Sequence, residues 1–386
     1  MSAVLSLINH RNISTIIHLK LYSPGTIYML HSGNQEDKDD LNDLREFMGL
    51  AYPEVSLVAR KVNMYSCEEL KKTLDAILSE ESKLTLDLSN GNPVAAMILH
   101  HLSNDKNLNV FVYSERDDRA AILHKGKCSN VDMKRVDLEI SDFIKSGGGD
   151  VLASSTKTFM SEEIEKLLMW QIQNHDKWMR TNKTFKTKNI IRGSGSGFQE
   201  NMVGLELKGL TNGEKKGVLE FIYFLHESRI AKMKKTGRDV YTLDFRQSHY
   251  KQLLMVHGNW LEALTFHAMK HLNRMDDLES GVTFYWDEKL RKVANEIDVM
   301  AVYKGKLVAV SCKDTSKYNV KELNELEVAA NRLGGENSIK ILVSTFWPDK
   351  NLVMARAREM GIHIIRYDGN LEKFVKAMQD IFDKAE

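Results

Sequence analysis

Residues 295–313 read NEIDVMAVYKGKLVAVSCK, and this stretch decides the C-terminal fold. Two apolar runs, Ile297–Val302 and Leu307–Cys312, are rich in the β-branched residues that suit strands. Lys304-Gly305 between them makes a two-residue hairpin turn. Asp298 stands near the start of the first strand and Lys313 at the end of the second. A charge on a buried strand is costly unless it is paired or binds a metal.

Working outward, Trp260–Leu272 has apolar residues at helical spacing and carries Glu262, and Val282–Trp286 reads as a strand. Downstream, helix Val320–Leu333, strand Ile339–Ser344, helix Leu352–Met360, strand His363–Tyr367 and helix Leu371–Lys384 follow. Residues 256–386 are therefore expected to form one α/β domain.

The N-terminal part alternates as well. Apolar runs Val4–Ile8, Gly25–His31, Val55–Val62, Leu84–Leu88 and Asn109–Tyr113 are separated by helical patterns at Asp40–Leu50, Cys67–Leu78 and Pro93–Leu102. Repeated strand–helix units of this length predict a buried parallel sheet, a Rossmann-like α/β domain over residues 1–148. Arg119–His124 and Lys134–Ile140 are expected to add a terminal hairpin. Ser146–Gly149 (SGGG) marks a boundary. Residues 149–255 read as a partly helical linker region, with helices at Ser161–Trp178 and Lys215–His226 and a flexible loop at Gly193–Gly197. Basic clusters span Arg180–Arg192 and Arg229–Arg238; either can contact a nucleic-acid backbone, although a solvated face is the commoner meaning of such runs. Phe185 lies within the first and could stack on a base.

Composition narrows the classes. Charged residues make up 28% of 386 and the net charge is +1, so any nucleic-acid surface must be local rather than a global basic field. Cys67, Cys128 and Cys312 form no CxxC pair, which argues against a structural zinc site or a disulfide scaffold. No apolar stretch is long enough for a membrane span and no basic leader precedes an apolar run. A cytoplasmic protein is expected.

The charged residues of the C-terminal domain suit a hard divalent cation, Mg²⁺ or Mn²⁺, which takes carboxylate and carbonyl oxygens. Glu262, Asp298 and the backbone carbonyl of Cys312 could supply three ligands. Lys313 would position water or stabilise charge on a phosphate. The bland alternative is a surface hairpin with an ordinary Asp and Lys. Trp260 and Phe266 are expected in the core. His257 and His267 are more often satisfied residues than site members, and Cys312 is expected to be a small buried apolar residue rather than a nucleophile.

An acid, a spacer of about a dozen residues and an acid-x-Lys at a strand end resembles the restriction-endonuclease pattern. The run Gly258–Glu262 (GNWLE), Asn295–Val299 (NEIDV), Val310–Lys313 (VSCK) and Arg332–Gly335 (RLGG), in that order, resembles more narrowly a CRISPR-associated nuclease family. Its members join a CARF domain (a CRISPR-associated Rossmann fold) to a C-terminal PD-(D/E)xK nuclease domain. The resemblance covers almost the whole chain. It implies a homodimer, activated by a cyclic oligoadenylate such as cyclic tetra-adenylate, that cleaves DNA, RNA or both with a metal ion in antiviral defence. One position departs from it: where the pattern has Glu or Asp two residues before the lysine, this chain has Ser311. Either Glu296 or a helix acid such as Glu325 substitutes, or the site works with Glu262, Asp298 and the Cys312 carbonyl, or the protein is a cyclic-nucleotide sensor with little or no activity. A repair or restriction nuclease without an effector is a third class.

The resemblance also points to a ligand edge. Leu84–Pro93 reads LTLDLSNGNP, a strand running into Ser89, Asn90, Gly91 and Asn92, with proline at the first helical position. By itself this is an ordinary capped turn that can present backbone N–H groups to an anion. In CARF domains a loop of this kind touches the cyclic oligoadenylate. A second family contact falls at His10, Arg11 and Asn12, and a third at Ser114-Glu115-Arg116. Two copies of these loops facing across a two-fold axis would suit a symmetric cyclic ligand.

Overall fold

The structure, a computed structural model, describes residues 2–133, 136–192, 201–255, 258–286 and 294–385. The loop expected at Gly193–Gly197, His257 and part of the strand expected at Lys134–Ile140 lie outside them.

In the N-terminal domain, strands β1 (Ala3–Leu7), β2 (Thr26–His31), β3 (Ser56–Lys61), β4 (Leu84–Asp87) and β5 (Asn109–Ser114) alternate with helices α1 (Ile13–Tyr22), α2 (Gln35–Ala51), α3 (Cys67–Glu80) and α4 (Pro93–Asp105). The sheet order is β3-β2-β1-β4-β5, all parallel, extended by antiparallel β6 (Arg119–His124) and β7 (Lys127–Val131). This is the doubly wound arrangement read from the alternating pattern, with its switch point between β1 and β4. Side chains of Asn34, Ser66 and Asn92 accept N–H bonds at the starts of α2, α3 and α4, the role short polar side chains play at N-caps. The terminal hairpin corrects the sequence reading. Its second strand is Lys127–Val131, because Lys125 and Gly126 both take positive φ (48° and 70°) and turn the chain immediately after His124. Helix α5 (Ile140–Lys145) follows.

The middle region is more ordered than the expected linker. β8 (Asp150–Ala153) pairs with a strand of the C-terminal sheet. After α6 (Thr156–Phe159), the single helix expected over Ser161–Trp178 is two, α7 (Glu162–Gln173) and α8 (His175–Thr187), broken at Asn174. β9 (Ile191–Arg192), β10 (Met202–Glu206), α9 (Asn212–Glu227), β11 (Ala231–Gly237) and β12 (Val240–Phe245) follow, the four strands forming an antiparallel sheet in the order β11-β12-β10-β9. The Arg229–Arg238 cluster is largely edge strand β11, whose lysines point to solvent; charged residues on an edge discourage strand addition. Phe185 is buried against Phe221 rather than available to a base. Helix α10 (Ser248–Met255) leads into the C-terminal domain.

That domain comprises α11 (Asn259–Leu272), β13 (Asp277–Tyr285), β14 (Ala294–Tyr303), β15 (Lys306–Lys313), α12 (Val320–Gly334), β16 (Ile339–Ser344), α13 (Asn351–Glu359), β17 (Ile362–Arg366) and α14 (Leu371–Lys384). Its sheet runs β17-β16-β15-β14-β13-β8, antiparallel among β13–β15 and parallel from β15 to β17. Alternation along β15 sends Val308, Val310 and Cys312 to the face covered by α11 and α14, and Leu307 and Ala309 to the face covered by α12. The second face shares one apolar cluster with Ile13, Phe111 and Phe143 of the N-terminal domain, so the two domains are packed together. Among the described residues no helix is long and apolar enough to cross a membrane.

Candidate active site

Asp298 sits where strand pairing is interrupted on both sides. The β13–β14 ladder passes from Ser280·Val299 to Val282·Ile297, skipping Gly281 and Asp298. Gly281 has φ +56° and has no room for a Cβ beside Ser155. On the other side the β14–β15 ladder ends at Val299·Val310. Beyond it the N–H of Cys312 donates to Asp298 Oδ2 at 2.6 Å, and Ser311 Oγ donates to the same oxygen at 3.2 Å. The residue in place of the expected acid therefore supports Asp298 by hydrogen bonding.

Three carboxylates and one lysine converge here. Burial pushes the Glu262 carboxyl well above the usual carboxylate range, the charges of Asp298 and Glu296 push it further, and Lys313 partly offsets both. Asp298 is raised by burial, against the pull of Lys313 and the two hydrogen bonds. Glu296 is raised by burial and by Asp298. Surplus negative charge in a partly desolvated site fits a hard divalent cation in donor chemistry. Yet among the described residues no three His, Cys, Asp or Glu side chains are grouped closely enough to hold a metal. Glu262, Asp298 and the Cys312 carbonyl are the donors that would hold such a cation, with Glu296 beside them. Glu325 pairs with Lys321 at the surface of α12.

The remaining residues fall where chemistry places them. Burial raises the Cys312 thiol, and the charges of Asp298 and Glu262 raise it further; its Sγ donates to buried Thr265 at 3.5 Å. That environment disfavours a thiolate nucleophile. His267 Nε2 lies 2.7 Å from the Phe159 carbonyl and is satisfied there. Trp260 and Phe266 are buried.

Asp314, adjacent to the lysine, was missed in the sequence. Its buried carboxylate accepts from Trp260 Nε1 at 2.9 Å, Asn182 Nδ2 at 2.8 Å and Thr345 Oγ1 at 2.7 Å, and pairs with Lys186. It ties α8, α11 and the end of β16 to the strand end that carries Lys313. A lone acid after a lysine gives no sequence signal; only the fold assembles its four donors.

At the other end of the molecule, the structure brings together the loops after β1 and β4, the two expected to meet a ligand. Asn90 Nδ2 donates to Ser14 Oγ at 2.9 Å, and Gly91, at φ +84°, lies against Leu7 and Ile8 with no room for a Cβ. Ser89 Oγ donates to Asp87 at 2.5 Å and accepts from Tyr113 N–H at 2.8 Å. Asp87 is fully buried and its carboxyl is pushed up to about 6 by that burial. Asn12 is left-handed at φ 42° and buried, with a side-chain amide nitrogen that has no hydrogen-bond partner. His10 Nδ1 lies 2.8 Å from Asp40, which raises the imidazole pKa. Arg11 pairs at 2.9 Å with Glu115, a residue of the third expected contact, and its guanidinium packs against Gly335 at the end of α12. Beside the β1 loop a cavity of about 740 Å³ is lined by Ile8, Asn34, Lys61, Asn63, Tyr65 and Asn92 among others, within the range of small-ligand sites. The β2 and β3 edges of this cavity were not read from the sequence; the Ser32-Gly33-Asn34 turn after β2 was the available signal.

Residues 249–384 match the family described as Card1-like, endonuclease domain. No curated protein matches the chain in sequence. Among solved structures, Can2 from Sulfobacillus thermosulfidooxidans in complex with cyclic tetra-adenylate is 14% identical, with a TM-score of 0.71 over 99% of each chain. Protein VC1899 from Vibrio cholerae is 16% identical, with a TM-score of 0.77 over 100% of this chain and 98% of that one. A type III CRISPR defence DNA nuclease activated by cyclic oligoadenylate is 14% identical, with a TM-score of 0.56 over 97% of this chain and 51% of that one. These likenesses carry the whole two-ended architecture. The chain thus joins an N-terminal Rossmann-like domain to a C-terminal domain that matches the Card1-like endonuclease family.

Proposed function

We propose that this protein is a cytoplasmic homodimeric endonuclease of antiviral defence, gated by cyclic tetra-adenylate and dependent on Mg²⁺ or Mn²⁺, that cleaves DNA, RNA or both. The observation that carries the reading is the convergence of Glu262, Asp298 and Glu296 on Lys313 inside a domain of the endonuclease family. The cation would supply Lewis-acid stabilisation of the phosphate when bound; Glu262, Asp298 and the Cys312 carbonyl would hold it. Lys313 orients the attacking water or offsets charge on the pentavalent phosphorus. Ser311 and the Cys312 N–H keep the Asp298 carboxylate aimed. Glu262 would have to give up its proton to hold the cation, so loading would weaken at low pH.

At the N-terminal end, His10, Asn12, Ser89, Asn90, Gly91 and Asn92 are proposed to line the effector site. Support comes from their meeting at the switch point, from the unpartnered Asn12 nitrogen and from the neighbouring Can2 structure with cyclic tetra-adenylate. The symmetry of that ligand suits a dimer in which each copy contributes one set of loops. A second reading, a sensor with little or no nuclease activity, is favoured by Ser311 and by the lack, among the described residues, of three acids grouped closely enough to hold a metal. Cleavage of plasmid and single-stranded substrates with Mn²⁺, with and without cyclic tetra-adenylate, separates them. Tight effector binding without cleavage supports the sensor, and cleavage that ignores the effector supports an ungated nuclease.

A further inference from the structure

The Arg180–Arg192 cluster forms one wall of a groove that the proposed chemistry does not use. It lies between α8 and the start of α9 and encloses about 600 Å³. Lys177 and Lys216 both lean on Glu220, and Lys188 pairs with Glu214, so three cations share two acids. Arg180 and Lys183 are exposed and have no acidic partner among the described residues. The groove therefore carries a local excess of positive charge in a chain of net charge +1. Within it, Thr181 is only 2% exposed and its hydroxyl has no hydrogen-bond partner. Gly217 on α9 faces that hydroxyl; a Cβ there would stand 3.1 Å from it. The N-terminal turn of α9 adds the positive end of a sixteen-residue helix.

The groove is mechanically tied to the active site. Asn182 and Lys186, four residues apart, hold Asp314, the neighbour of Lys313. At 3.6 residues per turn, Arg180 and Thr187 fall about 120–140° around α8 from that pair, and Lys183 about 80° around it. The groove is then about one helix diameter from the catalytic strand end, roughly 10–12 Å, or about three 3.4 Å base steps along a strand.

We propose that the α8–α9 groove binds the phosphodiester backbone of the substrate a few nucleotides from the scissile bond, with Arg180 and Lys183 as phosphate contacts and the Thr181 hydroxyl as a donor. This rests on the nuclease reading, and the test separates the two. Binding is measured with the full-length Asp298→Asn protein in EDTA, with and without cyclic tetra-adenylate, using fluorescent duplex DNA, single-stranded DNA and single-stranded RNA over a salt series. For the tightest-bound probe, Arg180→Ala/Lys183→Ala in that background weakens binding several-fold and lowers the slope of log K against log salt by about 1.5–2. Lys376→Ala, a lysine on α14 paired with Asp380, serves as the surface control and changes neither. In the cleaving protein the double substitution raises KM while kcat holds. Unchanged affinity and salt slope overturn the groove, as does a parent protein that binds none of the probes. Absence of cleavage by the unsubstituted protein, with the binding difference intact, overturns the nuclease reading alone.

Discussion

Asp298 and Glu262 are two acids whose surroundings oppose their ionisation. Both carboxyls bind protons more tightly in the folded chain than in the unfolded one. The folded state therefore retains protons that the unfolded state has released, and stability falls as pH rises from the ordinary value of 4.5 for Glu through the raised folded value. A divalent cation held by these acids would reverse this by offsetting the charge. At pH 8, Mn²⁺ is expected to raise Tm, with a much smaller rise at pH 5. Glu262→Gln is expected to raise Tm without metal at pH 8 and to lose most of the Mn²⁺ response. A parent Tm indifferent to Mn²⁺ at both pH values contradicts the metal assignment. Ser311 acts at the same scale. Ser311→Ala removes a bond to a carboxylate, worth about 1.5–3 kcal/mol when the acceptor is charged, and is expected to lower kcat by loosening Asp298. The strand acid and the lysine were legible because ionised residues at the ends of apolar strands stand out. That Ser311 would bind Asp298 was not, since the contact depends on where the β14–β15 ladder stops.

Among elements, α8 is the piece whose role the structure changes. Its basic run was read within a linker, yet its Asn182 and Lys186 grip Asp314 from one side while Arg180 and Lys183 face the groove. Removing the Asp314 carboxylate leaves Lys186 without its partner in a semi-buried site. Asp314→Ala is expected to cost about 3–5 kcal/mol, read as a lower midpoint in urea unfolding; a loss within experimental error would show that α8 is held by its apolar face alone. The parallel strands were legible from apolar runs separated by helical patterns. The β9–β12 sheet was not: β9 is two residues long, and the lysines of β11 read as a charge cluster rather than as an edge strand. Nor was the break at Asn174, which carries neither proline nor glycine to announce it.

For the molecule as a whole, the order of domains was legible and their packing was not, because a shared core joins residues hundreds of positions apart with no local period to betray it. That packing gives the proposed effector loops a route to the strand that carries Lys313. Arg11 leaves the β1 loop, pairs with Glu115 and lies against Gly335; Gly334 packs against Leu307 at the start of β15, and Lys313 ends the same strand. A ligand shifts such an assembly only through its different affinity for two arrangements. Arg11→Ala is expected to keep most of the affinity for cyclic tetra-adenylate, measured by calorimetry, while reducing the activation of cleavage; a large loss of affinity would return Arg11 to the ligand site. The most direct measurement is cleavage of labelled DNA and RNA by the full-length protein in Mn²⁺, with and without cyclic tetra-adenylate, beside Asp298→Ala. The account predicts effector-dependent cleavage that Asp298→Ala abolishes while effector binding persists; full cleavage by Asp298→Ala, or none by the parent protein with effector bound, contradicts it.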